Sequence, residues 1–284
     1  MRKKFTRDIH SVVVKVGTSI LTKGGRFDRS LIGDLGDEIS DFLRKGLKVS
    51  VVTSGAIGAG MMILKDQERP KTMQGLQAAA AAGQRYLMQC YEEAFSAHGF
   101  STAQVLLTWD DLANDTRFMN AKHTLSEIQK RGLIPVINEN DTVATDEIRF
   151  GDNDRLSALI AILVEADLLV ILSDTNGFYS DGGSGERFQV VERMEPSLFS
   201  HVKDGKNQFT VGGMRSKLEA VQIGTSSGLP VFLADGREKK ILHRLFQGED
   251  LGTFFLPTVK KGHARKHWIQ HFTNHIHTRH AKHS

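Results

Sequence analysis

The 284-residue chain has little of what usually staples or interrupts a fold. Its single cysteine, Cys90, excludes a disulfide framework within the chain and makes a reducing, cytoplasmic setting the default expectation. Five prolines and a 7% share of aromatics stand against 27 glycines, a balance that suits the tight strand-to-helix turns of an α/β protein. No apolar run approaches the roughly 18 residues of a membrane helix. The basic start, Met1-Arg2-Lys3-Lys4-Phe5, precedes only a short apolar stretch that Lys15 interrupts, which is not the pattern of a signal peptide. A G-x-x-x-x-G-K-[ST] loop is missing as well, so any nucleotide site must be built in another way.

The excess of positive charge is local. Residues 251–284 hold six of the 37 basic side chains and none of the 33 acidic ones, leaving 31 basic against 33 acidic residues elsewhere. Seven of the twelve histidines also lie there. His267, His271 and His275 would share one helix face and could hold a metal ion, but a solvated tail is the plainer reading. The tail lacks the interleaved aromatics of a base-stacking platform, so no nucleic-acid partner is expected, and no membrane partner either.

What is present is an alternation. Short apolar runs at 12–16, 48–52, 102–107, 133–137, 168–172 and 229–233 read as strands buried on both faces. Helical periodicity occupies 30–45, 72–98, 115–131, 154–165 and 214–226. The expected fold class is α/β: a mostly parallel sheet with helices on both faces, which gathers its ligands beyond the carboxyl ends of the strands. Four strands end there in small or acidic polar residues: Gly17-Thr18-Ser19, Thr53-Ser54-Gly55, Asn138-Glu139-Asn140-Asp141 and Ser173-Asp174. One rim of the sheet therefore reads as an active-site edge.

Lys15 is costly inside an apolar strand unless its ammonium meets an anion or reaches water at the strand end. Gly17 beside it would let backbone N–H groups approach a phosphate. The run 53–60 opens a helix with glycines and a hydroxyl, suited to a carboxylate or phosphate, or else forms a plain tight turn. The acidic loops 138–141 and 151–154 need cationic company if they are not merely solvated: the ammonium of an amino acid, or Mg²⁺ carried by ATP. Lys217, in the first turn of a helix after Gly212-Gly213, opposes the helix dipole unless an anion sits between them. With Lys15 it could clamp a phosphoryl group.

Five segments taken in order resemble the glutamate 5-kinases of the amino acid kinase family: Val13-Val14-Lys15-Val16-Gly17-Thr18-Ser19, Val52-Thr53-Ser54-Gly55-Ala56-Ile57, Pro135-Val136-Ile137-Asn138-Glu139-Asn140-Asp141, Phe150-Gly151-Asp152-Asn153-Asp154 and Gly212-Gly213-Met214. The likeness covers residues about 10–260. It implies a three-layer α/β/α sandwich around about eight strands, over residues 1–260, with 261–284 as a basic, His-rich tail. The activity implied is ATP-dependent phosphorylation of the side-chain carboxylate of L-glutamate to L-glutamyl 5-phosphate, the first step of proline biosynthesis. Lys15, Asp154 and Lys217 would be catalytic, Asp154 organising the lysines rather than acting as a base. Lys15, Gly17, Ser173, Asp174 and the run Val211-Gly212-Gly213-Met214-Arg215-Ser216-Lys217 would meet ATP. Ser54, Asp141 and Asn153 would bind glutamate, Asp141 facing its ammonium. No protein ligand to a metal is implied, Mg²⁺ arriving with ATP.

The resemblance also implies a homo-oligomer, inhibition by proline in many members, and hand-off of the labile product to glutamyl phosphate reductase. There are two departures. The family's usual Gly-Thr-Gly-Gly-Met with Ser-Thr-Lys is replaced here by Thr210-Val211-Gly212-Gly213-Met214-Arg215-Ser216-Lys217, losing a hydroxyl at Val211. Many members continue past an Arg-Lys-x-Trp-Ile segment into a PUA domain, whereas this chain stops within fifteen residues of Arg265-Lys266-His267-Trp268-Ile269, so that domain is expected to be missing.

Overall fold

The structure, a computed structural model, describes residues 2–144, 153–183, 185–202 and 213–259. The 261–284 tail lies outside them. The chain begins with helix α1 (Arg2–Thr6), strand β1 (Ser11–Val16), the hairpin β2 (Thr22–Lys23) and β3 (Arg26–Phe27), helix α2 (Ser30–Arg44) and β4 (Lys48–Val52). Then come α3 (Ala56–Leu64), α4 (Met73–Ser96), β5 (Thr102–Leu107), α5 (Trp109–Ala113), α6 (Asp115–Lys130) and β6 (Ile134–Glu139). The remainder is α7 (Asn153–Leu163), β7 (Leu168–Ser173), β8 (Val190–Val191), α8 (Met214–Ser226), β9 (Val231–Asp235), α9 (Ile241–Phe246) and β10 (Thr253–Phe255).

Eight strands form one sheet in the order β5-β6-β4-β1-β7-β9-β10-β8. All neighbours run parallel except β10 against β9. The expected α/β class and its eight-stranded, mostly parallel sheet are thus found. Two details differ from the sequence reading. Strands β6 and β9 run on to Glu139 and Asp235, two residues past the apolar runs, because ladder pairing with β5 and β7 continues through polar residues. Strand β5 is not a doubly buried strand: it is the sheet edge, and of its residues only Leu107 is buried.

Strand parity divides the core in two. Val12, Val14 and Val16 join Val49, Val51, Val170 and Leu172 under α2, α4 and α9. Val13 joins Val52, Ile171 and Leu233 under the apolar faces of α6, α7 and α8, which contribute Leu125, Leu156, Leu159, Leu218 and Val221. A fully buried side chain of this size stabilises by roughly 1.5–3 kcal/mol relative to exposure. Because successive residues alternate faces, Lys15 shares the face of Val13 and points where α7 and α8 begin. Helices α3 and α4 cross backbone to backbone: a Cβ on Gly60 would fall 1.7 Å from Ala79 O, and one on Gly83 would fall 1.9 Å from Ala56 O. Only glycine allows this crossing, which seats α4 against the ends of β4 and β6.

Candidate active site

The carboxyl ends of β1, β4, β6 and β7 bring most of the expected residues to one edge. Helix α7 starts at that edge with Asn153 and Asp154, and α8 starts there with Gly213 at its cap and Lys217 in its first turn. The Asp154 carboxylate is an ion-pair partner of both Lys15 and Lys217, the latter at 3.2 Å. All three are shut away from water, with exposures of 0%, 3% and 6% for Asp154, Lys15 and Lys217. Ser216 Oγ adds a donor to Asp154 Oδ2 at 3.3 Å. Burial alone would raise the Asp154 carboxyl; the two ammonium groups outweigh it and hold the carboxyl below its ordinary value. The charges of these three groups sum to +1, a balance that draws an anion to the edge.

Gly17 leaves room for this arrangement. A Cβ there would come within 3.4 Å of Lys15 Nζ and 3.1 Å of Leu172 O, while its own N–H donates to Leu172 O at 3.1 Å. Helix α8 has no side-chain cap at Gly213, so its first-turn N–H groups face the same edge. Ser173 is buried at the end of β7 and donates to Asp174 Oδ1 at 3.1 Å, with Asp174 itself exposed. Arg237, which the sequence reading missed, spans the ends of β7 and β9: it donates to Asp174 O at 2.7 Å and grips Asp235 at 2.6 Å. Met214, Arg215 and Ser216 occupy the first turn of α8, whereas Val211 and Gly212 lie outside the described residues.

On the other side of β1 the groups that Asn153 meets are neutral. Asn153 is buried and its Nδ2 donates to Thr53 O, to Ser54 Oγ at 3.2 Å and to Asn138 Oδ1 at 2.6 Å. Asn138 Nδ2 in turn donates to Gln84 Oε1 at 2.9 Å. Asp141 lies in the turn 140–144 directly after β6, which Gln77 of α4 holds by a 3.2 Å bond to Ala144 O. Next to that turn, a cleft of about 330 Å³ opens at the ends of β5 and β6, lined by Trp109, Asp111, Arg117, Glu139 and Asn140 among others. The sequence reading named neither this cleft nor Gln84. Gln84 is one of four glutamines in α4 and follows Gly83 after the alanine run 78–82, so nothing in the sequence sets it apart.

One further pair braces the two helix starts. Arg155, next to Asp154 on α7, donates through Nε to Glu219 of α8 at 2.8 Å, and Arg215 approaches the same carboxylate at 3.6 Å.

A buried lysine–aspartate–lysine cluster built from a strand end and two helix starts narrows the comparison with known proteins. The profile of the amino acid kinase family matches residues 11–235. The chain belongs to the amino acid kinase family. Among curated relatives, the glutamate 5-kinase of Syntrophotalea carbinolica is 43% identical, covering 95% of this chain and 73% of its own length. The glutamate 5-kinase of Moorella thermoacetica is 42% identical, with 91% and 70% covered, and that of Chromohalobacter salexigens 44%, with 93% and 71%. In fold, the chain is similar to the UMP kinase of Bacillus anthracis, with a TM-score of 0.57 at 14% identity over 88% of this chain and 97% of that one. Membership of the amino acid kinase family makes this chain a kinase and brings ATP use with it. No helix among the described residues is long and apolar enough to cross a membrane.

Proposed function

We propose that this amino acid kinase transfers the γ-phosphoryl group of ATP to the side-chain carboxylate of L-glutamate, giving L-glutamyl 5-phosphate and ADP as the first step of proline biosynthesis. The observation that carries the reading is the pair of buried ammonium groups, Lys15 and Lys217, meeting on Asp154 beside the Ser54–Asn153 pair. Phosphoryl transfer spreads charge over the γ-phosphate oxygens, and fixed cations in a dry site stabilise it. An ionised carboxylate needs no base, so Asp154 serves to place the lysines. Lys15, Gly17, Ser173, Asp174 and the run 211–217 then surround the nucleotide, with Mg²⁺ riding on its phosphates.

The acceptor end fits an α-amino acid. Ser54 Oγ accepts from Asn153 at 3.2 Å, which leaves its hydroxyl hydrogen for a carboxylate. Asp141, in the turn at the same edge, supplies a counter-charge for the ammonium. The curated relatives named glutamate 5-kinase support this choice of acceptor. The reading extends to a kinase domain over 1–260 with a peripheral 261–284 tail, a cytoplasmic homo-oligomer, and direct passage of the labile acyl phosphate to a reductase. An ADP-release assay with glutamate, N-acetylglutamate and aspartate tests the core of it. Turnover with glutamate alone is expected; turnover only with the other two would overturn it.

A further inference from the structure

Two backbone groups fix the polarity of the amides beside the acceptor position. Thr53 O can only accept, so the atom of Asn153 that faces it is Nδ2. Glu139 N can only donate, so the atom of Asn138 that faces it, at 2.9 Å, is Oδ1. The two independent assignments agree where the side chains meet, Nδ2 of Asn153 against Oδ1 of Asn138 at 2.6 Å. Flipping either amide would set like atoms face to face. The order continues outward: Asn138 Nδ2 donates to Gln84 Oε1 at 2.9 Å, and Gln84 Nε2 donates to Gln104 Oε1 at 3.2 Å. Four amides therefore point the same way, each donating to the next, away from the acceptor position. The two hydrogens of Asn153 are spread over three protein acceptors, and the group it has to offer a ligand is its carbonyl oxygen.

We infer that Gln84 is a positioning residue for the acceptor: by accepting from Asn138 Nδ2 it supports the polarity that Thr53 O and Glu139 N set, leaving Asn153 Oδ1 to the ligand, where it suits an acceptor that carries an N–H donor such as a charged α-ammonium group. The inference rests on the glutamate reading and deepens it. It assigns to Gln84 one property, acceptance of a hydrogen bond, rather than bulk or charge. Gln84 sits half-buried on α4 and does not contact Asn153 in the hydrogen-bond network, so variants there can change the polarity of the chain without removing an acceptor-binding side chain.

Three variants separate these properties. Gln84→Glu keeps an acceptor for Asn138 Nδ2 and should leave the KM for glutamate within about twofold of wild type. Gln84→Leu offers neither donor nor acceptor and should raise it about fivefold to tenfold, as an unmet buried donor does. Gln84→Lys offers only donors, opposes Asn138 Nδ2 and should raise it further still. The KM for ATP should move in none of them, and Gln104→Leu, one link further out, should behave as wild type. Simple charge effects on an anionic substrate predict the opposite order for Glu and Lys, and a packing role predicts that melting temperature and kcat fall together. Either pattern, or one KM shared by all variants, overturns the role of Gln84 while wild-type turnover of glutamate stands. Absence of glutamate turnover in the wild type overturns the acceptor reading and this inference with it.

Discussion

Across strand β1 the two halves of the candidate site hold their groups by opposite means. Toward β7, the site is three formal charges in a space without water: Lys15 and Lys217 on Asp154. Toward β4 and β6, it is backbone carbonyl, hydroxyl and amide, Thr53, Ser54, Asn138 and Asn153, with the polarity set by neighbours. Under the proposed function, charge is used where the reaction moves charge, and the acceptor is recognised largely by neutral groups, with Asp141 as the charged exception. The two halves should therefore fail differently when altered, the first in stability and kcat, the second in KM for the acceptor.

The largest effect is expected at Asp154. Asp154→Leu leaves two ammonium groups buried without their carboxylate, which costs about 3–5 kcal/mol when one side of a buried pair is lost. A large fall in melting temperature with loss of turnover is the expected result, and a variant as stable as wild type would show that the lysines find water instead. The same carboxylate sets a pH dependence. Its folded pKa lies below the ordinary 3.8, so its contribution is full above that value and is lost as the pH falls through the lower folded one. Wild type should lose stability on acidification below about pH 3.8 more steeply than Asp154→Asn, by denaturant titration at each pH.

Next come the lysines. Lys15→Met and Lys217→Met should each lower kcat by about 10²-fold or more, the usual consequence of removing one group that stabilises transition-state charge. Their effect on the KM for glutamate should be small. A variant that changed only that KM would erase the contrast between the halves. On the neutral side, Asn153→Leu should raise the KM for glutamate by about tenfold to thirtyfold, in the range expected when a hydrogen bond to a charged group is lost. A kcat that fell as far as in the lysine variants would place Asn153 with the charged half.

The contrast also marks what a sequence can show. Lys15, Lys217 and the 138–141 and 151–154 loops each stand out alone, because a charge in an apolar strand, a lysine opposing a helix dipole and carboxylates in close succession all need a partner. Strands and helices with long runs stand out for the same kind of reason, and β1, β4, β7 and α8 lie within a residue of where periodicity puts them. Gln84 carries no such cost. A half-buried glutamine is satisfied in many settings, and its role appears only when Gly60 and Gly83 bring α4 onto the end of β6. Strands β8 and β10, of two and three residues, are too short to show a period; pairing across 253–255 and 190–191 creates them. Helix α9, of six residues, is missed for the same reason.

The smallest effect is expected where this chain departs from its family's usual sequence. Arg215, which the resemblance sets against a serine, is exposed on the first turn of α8 and 3.6 Å from Glu219, which Arg155 already holds at 2.8 Å. An exposed pair of this kind contributes little to stability, so Arg215→Ser should leave the melting temperature unchanged. Under the proposed function, the guanidinium lies on the helix start that faces the nucleotide. Its loss should weaken ATP binding by about twofold to fivefold at low ionic strength, fading as added salt screens the site. A fall in kcat comparable to that of Lys217→Met would make Arg215 a third member of the charged cluster, and the division between a dry, charged half and a neutral half would have to be redrawn around it.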